Sequence, residues 1–430
     1  MNELAHRVKD ASLRLAGVGT DRKNEALAQI AEALKNSKEK IIKANREDLL
    51  RSKQENLPEP LLKRLNFDEA KIEVVIDGIF SLIHLDDPVG KTLLSTKLDD
   101  GLELYKVTCP LGVIGIIFES RPDAMVQIAT LCLKSGNGAL LKGGVEARET
   151  NRVLAEIIIK ATEKAGIPSN WFALLETRSE VSEMLKMNQY IDLIIPRGSN
   201  EFVRYIKENS KIPVMGHSDG ICHCYVAEDA DVNMAIKIVS DAKTEHVAAC
   251  NALETLLVHK KIAPEFLPVL KESLDNKNVE LIGCSETCGL ISVTAAPEED
   301  WKTEYLDYKL SVKIVTGFDE AIEHINTYGS GHTDIIITPD KEKAMQFMEY
   351  VDSGNTFWNC STRFSDGFRY GFGAEVGIST NKLHARGPVG LEGLVIYKYK
   401  LLGSGQIVGD YTTRSRTFKH EKMKKEFPLV

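Results

Sequence analysis

The spacing of hydrophobic positions along this 430-residue chain changes twice, and each change marks a change of element type. Over residues 1–85 apolar side chains recur at intervals of three and four: Leu27, Ile30, Ala31 and Leu34, then Ile41 and Ile42, then Leu49 and Leu50, with polar residues between them. That spacing gathers the apolar groups on one stripe of a helix, so the segment is expected to be helical. Between Thr92 and Thr108 the period shortens to two. The runs LLSTKL and LELYKVT alternate on either side of Asp99-Asp100-Gly101, which predicts a β-hairpin closed at an Asp-Gly turn. So polar a hairpin needs a partner surface.

After the hairpin the pattern becomes strand, helix, strand. Residues 112–118, Gly-Val-Ile-Gly-Ile-Ile-Phe, form a run rich in β-branched residues of the kind buried on both faces of a parallel sheet. Helices at 125–134, 149–165 and 181–187 then alternate with strands at 139–142, 171–175 and 191–195. This repeat specifies a doubly wound parallel sheet with ligands at the carboxyl ends of its strands. A second α/β series comes after Cys250, with strands at 254–259, 279–283, 309–315 and 334–338 and helices at 264–274 and 319–328. Two such domains place a deep site at the cleft between them.

Composition narrows the function classes. The chain is 43% hydrophobic and 27% charged, long enough for two or three buried cores. With 54 basic against 62 acidic residues its net charge is −8, which argues against nucleic acid or an anionic membrane as the main partner. The first residues mix charge and apolar groups, unlike a secretory leader. The longest apolar runs, such as 113–118, fall far short of the ~20 residues that span a bilayer. Eight scattered cysteines suggest reduced thiols, and a cytoplasmic location is expected. Cys222-His223-Cys224 and the Cys284, Cys288 pair have the wrong spacing for zinc, the first pair lying on one face of a strand, so no metal is expected.

Cys250 carries the candidate chemistry. It stands after Ala248 and Ala249 at the mouth of an apolar strand, where a thiolate can approach a carbonyl and form an acyl-enzyme. The competing reading is a small buried hydrophobe. A dinucleotide fingerprint is missing. In the run from Gly403 through Gly405 to Gly409 the third glycine comes one residue late, and Gly136-Asn137-Gly138 comes after a helix instead of a strand.

Three motifs are specific: PLGVIGIIFESRPDA at 110–124, CNALETLLVH at 250–259, and STRFSDGFRYGFGAEVGIST with HARGPVGLEGL at 361–380 and 384–394. Through them the chain resembles the aldehyde dehydrogenase superfamily, and within it the glutamate-5-semialdehyde dehydrogenases. The resemblance implies an α/β, aldehyde dehydrogenase-like fold of two doubly wound parallel-sheet domains plus a small β oligomerisation element. The implied layout is a cofactor-binding domain at 1–91 and 109–243, a catalytic domain at 244–378, a return to the cofactor domain at 379–394, and an oligomerisation element at 92–108 and 395–430.

The resemblance also assigns roles. Cys250 is the nucleophile, and its backbone N–H with Ser120 forms the oxyanion site, Ser120 replacing an asparagine of the wider superfamily. Lys142, Arg197, Gly198, Ser199 and Glu304 hold the cofactor, implied to be NADPH. Arg121, His217, Asp219, Arg363 and Arg369 are candidates for the anionic ends of the substrate. Two departures stand out. A proline expected near Val247 is absent, and residues 214–220 lack the glutamate with which hydrolytic relatives activate water. A thioester spared from water suits a reductase. The implied reaction is NADPH-dependent reduction of L-glutamyl 5-phosphate to glutamate 5-semialdehyde and phosphate, in proline biosynthesis. The implied partners are a separate glutamate 5-kinase and further copies of the chain. Another acylating or hydrolytic aldehyde dehydrogenase, or a silent scaffold of the same fold, is the alternative.

Overall fold

The computed structural model describes residues 1–176, 178–382 and 384–428. The chain divides into two compact units, one of Met1–Gly198, Arg204–Val214 and Gly390–Val430, the other of Ser199–Val203 and Met215–Val389.

The first unit opens with five helices, Asn2–Leu15, Thr20–Asn36, Lys38–Gln54, Glu59–Leu65 and Glu69–His84. Their three-four apolar stripes are buried, Ala26, Leu27, Ile30, Ala31 and Leu34 among them. Buried polar groups pin these helices to the rest of the unit: Asp48 accepts from the backbone N–H and hydroxyl of Thr150 at 2.8 and 2.7 Å. The sheet of this unit is parallel and runs Phe172–Leu175, Gly138–Gly143, Val113–Phe118, Leu193–Arg197. Asn137, the centre of the Gly-Asn-Gly run, is fully buried and bonds Gly112 N at 2.9 Å and Leu394 O at 2.8 Å. That run is therefore a structural corner.

The predicted hairpin forms from Thr92–Asp99 and Leu102–Pro110, with Gly101 at φ 71° in its turn. Its surface partner is the tail. Val395–Leu402 pairs antiparallel with Leu102–Pro110, and Glu421–Lys422 with Thr92–Asp99, giving a four-stranded sheet. The glycines near the C-terminus belong to a loop beside this turn, where Gln406 Nε2 donates to Asp100 O at 2.9 Å. The last two residues of the 395–430 element lie outside the described residues.

The second unit is built on a seven-stranded sheet, ordered Thr294–Ala295, Glu280–Gly283, Lys309–Val315, Leu253–His259, Cys222–Val226, Thr333–Ile337, Asn355–Trp358. Every neighbouring pair in it is parallel. Besides the short segment Ser199–Val203, which goes with the second unit, two boundaries differ from the sequence expectation. Residues 215–243, expected with the cofactor domain, go with the second unit, because the wholly buried strand Cys222–Val226 is central in its sheet between Leu253–His259 and Thr333–Ile337. The return to the first unit comes at Gly390 and not at 379, because Gly377–Ser379 folds back on Gly387–Val389 as an antiparallel ribbon. The helix Lys341–Tyr350 and strand Asn355–Trp358 also had no place in the sequence reading.

Candidate active site

Cys250 lies in the second unit, in a turn between helix Val232–Thr244 and strand Leu253–His259. The turn is closed by backbone bonds from Ala249 N to His246 O at 3.2 Å and from Ala252 N to Ala249 O at 2.9 Å. Its two ends are clamped together. Lys243 Nζ, at the end of the helix, meets Glu254 Oε2, in the strand, at 2.7 Å with both side chains fully buried. Burial pushes the Glu254 carboxyl up to about 7 and the Lys243 ammonium down, each towards its neutral form. Asn251 Nδ2 donates to Ser365 O at 2.7 Å, which ties the turn to the STRFSDG loop.

Gly220 packs directly on the nucleophile's backbone. A Cβ there would lie 2.1 Å from the Cys250 carbonyl oxygen and 2.7 Å from its Cα, so no side chain fits. The segment 214–220 is thus brought against the cysteine, and it carries His217, Ser218 and Asp219 but no glutamate. One ring nitrogen of His217, one of His332 and the Cys250 sulfur all lie within 4.8 Å of one another. The grouping comes from topology. The three residues precede Cys222–Val226, Leu253–His259 and Thr333–Ile337, adjacent parallel strands, so they meet at one amino edge of the sheet. The nucleophile is therefore at the edge opposite to the carboxyl ends at which the sequence rule places ligands.

His217 Nδ1 is 2.9 Å from Ile378 O. A carbonyl only accepts, so this nitrogen donates its N–H, and in the neutral ring Nε2 is the nitrogen with the lone pair. His332 is fully buried and in edge-on contact with His217 at 4.9 Å between ring centres. Burial drives it to the neutral form, far below the usual histidine range. Glu304 accepts from Asn200 Nδ2 at 2.5 Å, and the same amide is 3.5 Å from Asp219 Oδ1. Burial raises the Glu304 carboxyl above the ordinary range, with the Asn200 amide and the Gly220 N–H opposing the rise.

Two of the three arginines expected for substrate, Arg363 and Arg369, are held by the lead-in to the nucleophile. Arg363 Nε meets Glu245 Oε2 at 2.6 Å, and Arg369 Nη2 meets Glu245 Oε1 at 3.4 Å. Arg363 keeps the Glu245 carboxyl below its normal range. The unusual lead-in thus contributes a carboxylate where these arginines converge.

In the first unit the other candidates collect at carboxyl ends. Phe118 is in register with Gly143 and with Arg197, so Ser120, Lys142 and Arg197 end three adjacent strands at one level. Ser120 adopts φ 46° and donates both its N–H and its hydroxyl, the latter at 2.8 Å, to Glu146 Oε1. Its one hydroxyl proton is thereby engaged. Lys142 is buried and its ammonium bonds Gly143 O. Arg121 contacts Asp123 at 3.3 Å. Arg197 O accepts from Glu119 N at 3.1 Å, and Gly198 comes next; Ser199, with which the second unit begins, starts the helix Asn200–Asn209, its Oγ accepting from Phe202 N at 3.4 Å.

Sequence reasoning missed His332, Glu146, Asn200 and Glu245. Each lies far along the chain from the residue it meets, and no local pattern marks the pairing.

Residues 3–282 match the profile of the aldehyde dehydrogenase family. The gamma-glutamyl phosphate reductase of Pelotomaculum thermopropionicum is 74% identical over 430 residues, covering 100% of this chain and 99% of that protein. The crystal structure of gamma-glutamyl phosphate reductase from Thermotoga maritima, 41% identical, covers 94% of this chain and 99% of its own, with a TM-score of 0.92. A glyceraldehyde-3-phosphate dehydrogenase from Methanocaldococcus jannaschii, solved with NADP, shares the fold at a TM-score of 0.63 and 17% identity over 94% of both chains. The motifs, the two parallel sheets and these similarities agree: the chain belongs to the aldehyde dehydrogenase family and, within it, to the gamma-glutamyl phosphate reductases.

Proposed function

We propose that this enzyme reduces L-glutamyl 5-phosphate to glutamate 5-semialdehyde and phosphate through a thioester on Cys250, as a step of proline biosynthesis. One observation carries the thioester reading: the segment packed on the Cys250 backbone through Gly220 offers imidazole and no glutamate, so the position that activates water in hydrolytic relatives lacks its base.

The Cys250 sulfur attacks the acyl carbon, phosphate departs with the bonding pair, and the thioester remains. Phosphate leaves readily, so the protein's task is to position the reactants and to stabilise the oxyanion. The Cys250 N–H is the first oxyanion donor. The hydroxyl of Ser120, the other oxyanion candidate from the sequence, is engaged with Glu146 within the first unit. Arg363 and Arg369, now on Glu245, suit a phosphate or carboxylate, with Arg121, His217 and Asp219 as the remaining substrate candidates.

The family uses nicotinamide cofactors, and the first unit carries cations that suit one. Lys142 and Arg197, on the strands either side of Val113–Phe118, bring two cations to one end of the sheet, the charge that a dinucleotide's phosphates require, while Gly143 makes room for Asn151 Nδ2, which stands 2.1 Å from where a Cβ would be. Lys142, Arg197 and Gly198 of the first unit would hold the dinucleotide, and the Lys142 charge suits the extra phosphate of NADPH. When bound, the cofactor supplies the hydride that the thioester lacks.

No described helix is long and apolar enough to cross a membrane. All eight cysteines are thiols, which supports a reducing, cytoplasmic setting. A glutamate 5-kinase would supply the acyl phosphate, and the four-stranded sheet would join further copies of the chain.

The test runs the reaction backwards. With glutamate 5-semialdehyde and NADP+, reduction of the cofactor should require inorganic phosphate or arsenate. Equal rates without either would favour a hydrolytic enzyme, and a requirement for coenzyme A a different acylating one.

A further inference from the structure

The cysteine and two histidines at the amino edge of the second sheet also form a metal-donor set, a property the reduction does not use. We propose that Cys250, His217 and His332 bind a thiophilic divalent cation, zinc first among them, and that the enzyme is reversibly silenced when they do.

The donors are the ones zinc prefers, one thiolate and two imidazoles. Zinc bonds of about 2.3 Å to sulfur and about 2.0 Å to nitrogen place tetrahedral ligands roughly 3.5 Å apart. The three atoms already lie within 4.8 Å of one another, so side-chain rotation closes the remainder. Both rings are prepared as ligands. His217 donates Nδ1–H to Ile378 O at 2.9 Å, the outer contact that fixes ring orientation and makes Nε2 the ligating nitrogen of the neutral ring. His332 uses Nδ1 on Thr333 Oγ1 at 2.8 Å, while its Nε2 is buried with no hydrogen-bond partner. An orphaned imidazole nitrogen in a polar cluster is costly unless something occupies it. His217 and Cys250 are both partly exposed, which gives an ion a way in.

Zinc and sequence spacing were at odds only for Cys222-His223-Cys224 and for Cys284 with Cys288. The Cys250, His217 and His332 set spans three separate strands, where no spacing rule applies. Binding deprotonates the thiol and releases one proton, and the three protein ligands leave the fourth position of the ion to water. The sulfur can then no longer attack. This inhibitory consequence rests on Cys250 being the nucleophile, whereas the binding itself does not.

Metal-free full-length enzyme is titrated with Co2+ as an optical probe and with Zn2+. One equivalent of Co2+ should give a thiolate-to-cobalt charge-transfer band that Zn2+ bleaches. Zn2+ should also abolish turnover until a chelator is added, and slow alkylation of Cys250 by iodoacetamide at least about tenfold. Cys250→Ser should lose the band. His217→Gln, at a half-exposed position and checked for an unchanged circular dichroism spectrum, should weaken Co2+ binding at least about tenfold. A wild-type protein without the band, or a band kept in Cys250→Ser or kept at full affinity in His217→Gln, overturns the site. If the wild type shows the band and Cys250→Ser still turns over, the metal site stands and the nucleophile assignment falls. If Cys250→Ser is dead and wild type shows no band, the metal site alone fails.

Discussion

At the level of single residues the site depends on where backbone comes close to backbone. Gly220 illustrates this, because an added methyl would stand 2.1 Å from Cys250 O and 2.7 Å from Cys250 C, and neither atom can swing aside. Gly220→Ala should therefore displace the nucleophile's turn, lowering kcat/KM about 100-fold and stability by about 1–3 kcal/mol. Steady-state kinetics with denaturant unfolding checks both, and a variant like the wild type in both would refute the packing. Sequence made Cys250 legible through its small neighbours and its motif. It could not show that Gly220 braces the cysteine, since that contact depends on two strands lying side by side. Nor did it show that Ser120 is held by Glu146, a pairing produced by a left-handed residue at the end of a strand.

Among the elements, the joint between helix Val232–Thr244 and strand Leu253–His259 decides how the nucleophile is presented. The fully buried Lys243–Glu254 pair fastens the two across the turn. Removing one partner leaves the other ionisable group buried without its hydrogen-bonded counterpart. Lys243→Met should cost about 3–5 kcal/mol in unfolding free energy, and the double variant Lys243→Met with Glu254→Leu should regain most of that. Equal losses in the single and double variants would contradict the account. Strand and helix positions were largely readable here, because continuous apolar runs and three-four stripes are local signals. Membership in a sheet was not. Cys222–Val226 reads as one more strand of the first series, yet it pairs with partners on either side that come later in the chain.

On the scale of the whole molecule, the four-stranded sheet predicts association. Among the described residues Val395–Leu402 has one side unpaired and exposes Tyr397, Tyr399 and Leu401, while Ile407 and Val408 stand open next to it in sequence. An apolar strand with a bare edge is a liability unless another chain covers it. Sedimentation equilibrium should find a dimer or larger, shifted towards monomer by Tyr399→Asp with Leu401→Asp, and a monomeric wild type at micromolar concentration would reject this. The central claim concerns the reaction. Its most direct test is the rate at which Cys250→Ala catalyses phosphate-requiring, NADP+-dependent oxidation of glutamate 5-semialdehyde. The thioester mechanism predicts a fall of at least about a thousandfold with the fold intact, and turnover near the wild-type rate would contradict it.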